Sequence, residues 1–243
     1  MTGYEIKDLN FVTEEPKSQI VVVPTILSQE TLREAFLPVY NRIVAEEYGN
    51  NEVLRELDKQ GRGSNPFIVG LSKKILAPYG VKPVVSADDR NRQVSKMVKL
   101  RYYTDFQDLV VHSSKHTYYR DKKLLQNLIE TVEEKVGNVK FPFKVTGMIT
   151  VPWEEDSEEG YGLRFVPTDD FDYVSDKRLN EESGSKFDNV DEKGIPKFTR
   201  NGSRRWYSKS NGLSRLYLNR NLDLDSDDDN LAYSNDNGRV VLK

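Results

Sequence analysis

Cysteine is absent from the 243-residue chain, and histidine occurs only at His112 and His116. The absence of cysteine excludes disulfide bonds, thiolate metal sites and a cysteine nucleophile. The two histidines lack an evident third ligand, which a stable zinc site would need. No arrangement of serine, histidine and aspartate indicates a hydrolase. We therefore expect no catalytic residues, no cofactor and no metal ion, and a protein that is not an enzyme.

Long hydrophobic runs and an excess of one charge are absent too. The longest apolar run, Ile20 to Val23, is far shorter than the roughly 18 residues of a membrane span. Residues Met1 to Asp8 lack the basic and apolar regions of a secretory signal. The formal net charge of −3 gives no reason to expect nucleic acid as a partner. We expect neither membrane insertion nor nucleic-acid binding. Display on a virion or a cell surface would require a partner that carries the protein there.

Two amphipathic helices are predicted from apolar residues spaced three and four apart, and the 37% hydrophobic fraction is enough to give them a core. The first runs from Ser28 to Tyr48 and the second from Tyr119 to Val136. Gly49 and Gly137 follow them, where a residue free to adopt a positive φ is favoured. Pro38 predicts a kink in the first helix because it removes a backbone donor.

Strands are predicted mainly in the second half of the chain. The predicted segments are Gln19–Pro24, Lys82–Val85, one or two strands within Lys96–Val111, a strand or hairpin over Lys140–Pro152, Tyr161–Val166, and Arg239–Leu242. Residues 168–212 are polar, and their scattered aromatic residues predict an ordered loop region without regular structure. The pattern indicates an α+β protein, with a helix-rich framework over residues 1–137 and a sheet and loop region over residues 138–243.

The most unusual composition lies in residues 213–242, which we call the variable segment for the reason given below. Between Asn219 and Asn237, eleven of nineteen residues are asparagine or aspartate. Leu222, Leu224 and Leu231 recur among these polar positions. A disordered acidic tail would not need such leucines. Their recurrence predicts apolar anchors that hold a fixed backbone beneath exposed side chains.

Two simpler interpretations of this segment stay open. One is a solvated acidic loop beside a C-terminal strand. The other is a calcium-binding module within residues 223–230, because Asp223, Asp225 and Asp227 are spaced like the first ligands of an EF-hand loop. The calcium pattern then fails, since Asp228 occupies the glycine position and Ser234 occupies the place of the bidentate glutamate.

The variable segment resembles the variable region of the target proteins of diversity-generating retroelements, especially those of the archaeal and candidate-phylum type. Asn211–Leu218 is similar to the lead-in of that region, and Gly238–Leu242 to its closing strand. Further segments similar to the framework of this family are Val22–Thr25, Leu32–Pro38, Ala77–Pro83 and Gly160–Pro167.

The resemblance implies a fold, a function and a source of diversity. The fold is a single C-type-lectin-like domain of the formylglycine-generating type over residues 1–243. The function is non-enzymatic binding of a protein or cell-surface ligand. In this family a reverse transcriptase copies a template repeat with errors at adenines. Asparagine codons altered in this way yield aspartate, tyrosine and serine, and these four residue types dominate the segment.

The resemblance divides the segment into two sets of residues. The exchanged set, predicted to be exposed and to bind ligand, consists of Asn219, Arg220, Asn221, Asp223, Asp225, Asp227, Asp228, Asp229, Asn230, Tyr233, Asn235, Asp236 and Asn237. The anchor set, predicted to be buried, consists of Leu216, Leu218, Leu222, Leu224, Leu231, Val240 and Val241. Gly238 is expected to supply a positive φ before the last strand.

Charge in the exchanged set predicts the kind of ligand. Six aspartates and one arginine between residues 219 and 237 give a local charge of −5. A ligand with a basic patch is therefore expected to be steered towards the segment. A different class of function also stays open, namely a viral or phage assembly protein whose polar C-terminal region binds no ligand.

Overall fold

The computed structural model describes residues 25–26, 29–90, 94, 102–156 and 158–243. The predicted strand Gln19–Pro24 lies outside the described residues, as does the first part of the predicted strand region Lys96–Val111. The described part of the chain contains three α-helices, several short 3₁₀ turns and ten strands, so the protein is a mixed α+β structure. No helix in the described part of the chain is long and apolar enough to cross a membrane.

The helices are α1 (Glu30–Glu47), α2 (Pro66–Leu76) and α3 (Lys122–Val136). Both predicted helices are confirmed as α1 and α3, and Pro38 lies inside α1. A 3₁₀ turn precedes α3, and Gly137 ends it with a φ of +86°. The helix α2 begins at a local signal, because the Asn65 side chain accepts a hydrogen bond from the Ile68 N–H and Pro66 has no N–H to leave unpaired.

Eight of the ten strands form one sheet in the order β4-β3-β2-β8-β9-β7-β5-β6. Neighbours are antiparallel except for β7 and β9, which are parallel. The strand bounds are β1 Thr25–Ile26, β2 Thr104–Val111, β3 Phe143–Pro152, β4 Leu163–Ser175, β5 Ser185–Val190, β6 Pro196–Phe198, β7 Arg204–Ser208, β8 Leu213–Leu218, β9 Leu224–Ser226 and β10 Val241–Leu242.

The prediction that residues 168–212 form a loop region without regular structure is wrong. It contains the end of β4 and all of β5, β6 and β7. These strands escaped prediction because they are short or irregular and carry mostly polar side chains. Only Phe187 and Val190 are buried in β5, and only Trp206 is fully buried in β7. Register shifts in the β5–β6 pairing further obscure the alternation of apolar and polar residues.

The C-terminal strand is shorter than predicted. Only Val241 and Leu242 are paired as a strand, and they pair with β1 rather than with the eight-stranded sheet. The predicted strand Lys82–Val85 is wrong, since only an isolated bridge joins Pro83 to Leu242. Reciprocal backbone hydrogen bonds between Lys82 and Lys243 still hold the end of the chain.

The variable segment contributes to two hydrophobic cores. In the larger core, the helices pack against the sheet, for example where Phe67 and Leu128 share a cluster with Val145. Leu231, Val240 and Leu242 belong to this core. The smaller core surrounds Phe106 and Trp206 and includes Leu216, Leu218, Leu224 and Val241. The segment is thereby fixed at intervals along its length.

Candidate ligand-binding cleft

The predicted anchors are buried, with one exception. Leu216, Leu218, Leu224, Leu231, Val240 and Val241 are each at most 1% exposed. Leu222 is only half-buried and has a φ of +66°. It occupies the turn between β8 and β9, where its N–H donates to the Asn219 carbonyl. The prediction for Leu222 is therefore met only in part, because its side chain packs against the smaller core but is not fully buried.

Exposure divides the exchanged set into three groups. Six residues are exposed: Arg220, Asn221, Asp227, Tyr233, Asp236 and Asn237. Five are half-buried: Asn219, Asp228, Asp229, Asn230 and Asn235. Asp223 and Asp225 are buried, at 6% exposure each. The prediction that all thirteen side chains are exposed is therefore wrong for Asp223 and Asp225.

Asp223 and Asp225 serve the fold. The Asp223 carboxylate accepts a hydrogen bond from the Arg205 N–H at 2.6 Å. Asp225 lies in β9 between two strands, and its carboxylate accepts from the Asn219 side chain at 2.9 Å. Burial is the main reason that the pKa of Asp225 is raised to about 7; the neighbouring Asp227 and Asp223 carboxylates contribute to this rise, and the hydrogen bond from Asn219 opposes it. The sequence predicted exposed aspartates between buried leucines, but the carboxylates of Asp223 and Asp225 contact β7 and the residue that follows β8.

Half-buried side chains of the exchanged set also hold the backbone. In four turns, a side-chain oxygen accepts the N–H of the residue two positions later. The pairs are Asn219 with Asn221, Asp228 with Asn230, Asn230 with Ala232, and Asn235 with Asn237, at 2.8 to 3.2 Å. The backbone of the variable segment is thus fixed by polar side chains as well as by leucine and valine.

The described residues give no support to the calcium interpretation. Among them, no group of three or more histidine, aspartate or glutamate side chains is arranged to hold a metal ion. Asp223 and Asp225 are engaged with Arg205 and Asn219, while Asp227 is exposed. The two histidines also lie in different environments. His112 is buried among Asn180, Ser214 and Ser226, and His116 is exposed.

A cleft of about 230 Å³ opens beside the variable segment. Ten residues line it, and six of them belong to the exchanged set: Asn219, Arg220, Asp228, Tyr233, Asn235 and Asn237. The other four are Tyr102, Tyr103, Arg215 and Tyr217. We call these four the floor residues, since they lie outside the exchanged set. The structure therefore brings together, around one concavity, residues of the variable segment and the two tyrosines that immediately precede β2.

Arg215 connects the floor of the cleft to its rim. It is 1% exposed, and its guanidinium Nε lies 2.9 Å from the Asp105 carboxylate. Its Nη1 donates to the Tyr233 carbonyl at 2.5 Å. The guanidinium lies 4.6 Å from the centroid of the Tyr217 ring and 5.3 Å from that of Tyr103. Burial raises the pKa of Asp105 to about 6, although Arg215 opposes the shift.

Tyr103 and Gly238 fix the other end of the cleft. The Tyr103 hydroxyl accepts from the Asn235 N–H and donates to the Ser64 carbonyl, at 3.2 Å each. A Cβ at position 238 would lie 2.6 Å from the Ser64 nitrogen. The expectation of a positive φ at Gly238 is wrong, because that residue is not among the glycines with such a φ. Glycine is needed there for the close approach of two backbone segments.

The four floor residues were missed in the sequence because their partners are distant along the chain. Arg215 and Asp105 are 110 positions apart. The available signal was weak: an arginine between Leu213 and Leu216 in the segment Asn211–Leu218, and the Tyr102–Tyr103 pair. We found no match to this chain among protein-family models, curated proteins or solved structures.

Proposed function

We propose that this protein is a non-enzymatic ligand-binding protein whose binding face can be rewritten, as in the target proteins of diversity-generating retroelements. Its fold is proposed to be a single C-type-lectin-like domain of the formylglycine-generating type. The observation that carries the proposal is the cleft, because six of its ten lining residues come from the asparagine- and aspartate-rich exchanged set.

Energetics make such a face tolerant of exchange. Substitution of an exposed residue usually changes the stability of a protein by no more than about 0.5 kcal/mol. Truncation of a buried leucine costs about 2–5 kcal/mol. Leu224 and Leu231, both 0% exposed, therefore hold the segment, while exposed neighbours such as Asp227 and Tyr233 contribute little to stability.

The proposed binding set is smaller than the predicted one. Asp223 and Asp225 are excluded from it, since both are buried and hydrogen-bonded within the fold. The other eleven members of the exchanged set are retained. Of these, the four side chains that accept backbone N–H groups in turns carry a structural role alongside any contact with a ligand.

The ligand is proposed to be a protein or another cell-surface molecule with a basic region. Tyrosine and arginine are enriched among residues that dominate the energy of protein interfaces. Tyr233, at 49% exposure, and the rim residue Arg220 offer such contacts. The local charge of −5 between residues 219 and 237 favours a basic partner.

The decisive experiment is to sequence the DNA around the gene and the same gene from related genomes. The proposal expects a near-repeat of the 3′ end that differs at adenines, close to a reverse-transcriptase gene. It also expects amino-acid differences concentrated between residues 219 and 237, with Asp223 and Asp225 changing least. Differences scattered evenly along the chain, without such a repeat, would overturn the proposal and favour an assembly protein.

A further inference from the structure

We propose that the cleft binds one cationic side chain of the partner protein, with arginine preferred over lysine. This inference rests on the proposed function and specifies the ligand chemistry of the same site. The cleft volume of about 230 Å³ lies below the usual range of about 300–1,000 Å³ for small-molecule pockets. Its size therefore suits a single long side chain, and the rest of the partner would contact the rim.

The floor residues of this cleft are not among the residues that are proposed to be exchanged. Tyr102, Tyr103, Arg215 and Tyr217 all lie outside the exchanged set, so exchange of the rim leaves them unchanged. Three of the four are tyrosines, whose rings attract cations through their negative faces. Tyr233 adds a fourth ring at the rim. Substitutions in the exchanged set would thus alter the specificity of the cleft, while the three tyrosines of its floor would be the same in every variant.

Arginines of the protein lie against all four of these rings, so a ligand cation would contact the ring surface that these arginines leave uncovered. Arg215 lies against Tyr103 and Tyr217, and the Arg239 guanidinium lies 4.1 Å from the centroid of the Tyr102 ring. The charge of Arg215 is balanced by the buried Asp105 carboxylate at 2.9 Å.

Asp228 supplies the carboxylate of the cleft. Its side chain is 27% exposed, and one oxygen lies 3.8 Å from Arg215 Nη1. The other oxygen accepts the Asn230 N–H. Because Asp105 already pairs closely with Arg215, the Asp228 carboxylate keeps capacity for a second cation. A guanidinium can pair with a carboxylate through two parallel hydrogen bonds, whereas an ammonium acts as a point charge, and this difference favours arginine.

Arg220 opposes the binding of a cation. It is exposed on the rim of the cleft and belongs to the exchanged set. The positive charge of Arg220 repels a cationic ligand in the same cleft. Replacement of Arg220 by a neutral residue should therefore strengthen binding, which distinguishes a cationic ligand from an anionic one.

The test uses the full chain, labelled with ¹⁵N, and three tripeptide amides with acetylated N-termini. The peptides are Gly-Arg-Gly, Gly-citrulline-Gly and Gly-Glu-Gly. Citrulline has the shape of arginine without its charge. We expect the arginine peptide to shift the amide resonances of residues at the cleft, with an affinity about tenfold above that of the citrulline peptide. Equal shifts with arginine and citrulline, or stronger shifts with glutamate, would overturn the inference.

Three variants with small structural effects then assign the interaction. Asp228→Asn retains the oxygen that accepts the Asn230 N–H, and it should weaken binding of the arginine peptide about fivefold to tenfold. Arg220→Asn should strengthen it about twofold to fivefold. Asp169→Asn is the matched control, because Asp169 is exposed on β4 and makes the same change of charge away from the cleft. Its effect should be below about twofold.

These outcomes separate the inference from the proposed function. If Asp228→Asn and Asp169→Asn weaken binding equally, only the overall charge matters and the cation site is overturned. The tolerance of the exchanged set to substitution, and the pattern of variation between related genes, would be unaffected by that result.

Discussion

Arg215 on β8 and Asp105 on β2 form an ion pair in which neither residue is more than 1% exposed. The pair lies directly beneath the candidate cleft, and Arg215 also donates to the carbonyl of Tyr233 in the variable segment. A residue outside the exchanged set thereby holds both the floor of the cleft and part of its rim. The arrangement makes the shape of the cleft dependent on a contact that exchange of the rim does not touch.

Replacement of Asp105 by asparagine should destabilise the protein strongly. The substitution leaves the Arg215 charge buried without its counter-ion, which typically costs about 3–5 kcal/mol. Chemical unfolding monitored by tryptophan fluorescence gives the free energy of unfolding. Asp169→Asn, at an exposed position, is the control and should change it by less than about 0.5 kcal/mol. A small effect of Asp105→Asn would show that the pair does not hold the cleft.

Asp225 should make the stability of the protein depend on pH. Its pKa in the folded protein is about 7, above the ordinary value of 3.8, because burial disfavours the charged form. The folded state therefore binds this proton more tightly than the unfolded state does. Stability contributed by the protonated group is present below about pH 4 and is lost as the pH rises through 7.

The measurement compares wild type with Asp225→Asn at pH 5 and pH 8. Asparagine is neutral at both values and retains an oxygen that can accept from Asn219. The variant should be more stable than wild type at pH 8, and this advantage should shrink at pH 5. An advantage that is the same at both pH values would contradict the raised pKa.

Asn230 should tolerate substitution less well than Asn221. The Asn230 side chain accepts the Ala232 N–H at 3.2 Å, whereas Asn221 is exposed. Loss of such a hydrogen bond costs about 0.5–1.5 kcal/mol. We expect Asn230→Ala to lower the free energy of unfolding by that amount and Asn221→Ala to leave it nearly unchanged. Equal effects would remove the structural role assigned to the turns.

The sequence predicted two of the three described helices well, because the evidence for α1 and α3 is local. Apolar residues at three- and four-residue spacing defined α1 and α3, and the glycines that follow marked their ends. The same reasoning failed for β5 to β7, where few buried side chains interrupt a polar stretch. Short strands at one side of a sheet depend on their neighbours rather than on their own pattern.

The candidate site was predictable in part for a similar reason. The recurrence of Leu224 and Leu231 among polar residues predicted a fixed backbone, and both leucines are buried. The aspartates at 223 and 225 are of a type that is usually exposed, and their burial depends on contacts with Arg205 and Asn219 elsewhere in the fold. The floor residues depend on contacts across more than a hundred positions of sequence, such as Arg215 with Asp105. No local pattern carries that information.

The central claim is that exposed side chains of the variable segment can be exchanged without loss of the fold. The most direct measurement is the free energy of unfolding of a variant in which all six exposed members of the exchanged set are replaced together, alongside Leu224→Ala. The account predicts a cooperative transition, with a cost within about 0.5 kcal/mol per exposed substitution. It also predicts a cost of about 2–5 kcal/mol for Leu224→Ala alone. The claim would be contradicted if the variant with six substitutions fails to fold, or if the Leu224→Ala protein is as stable as wild type.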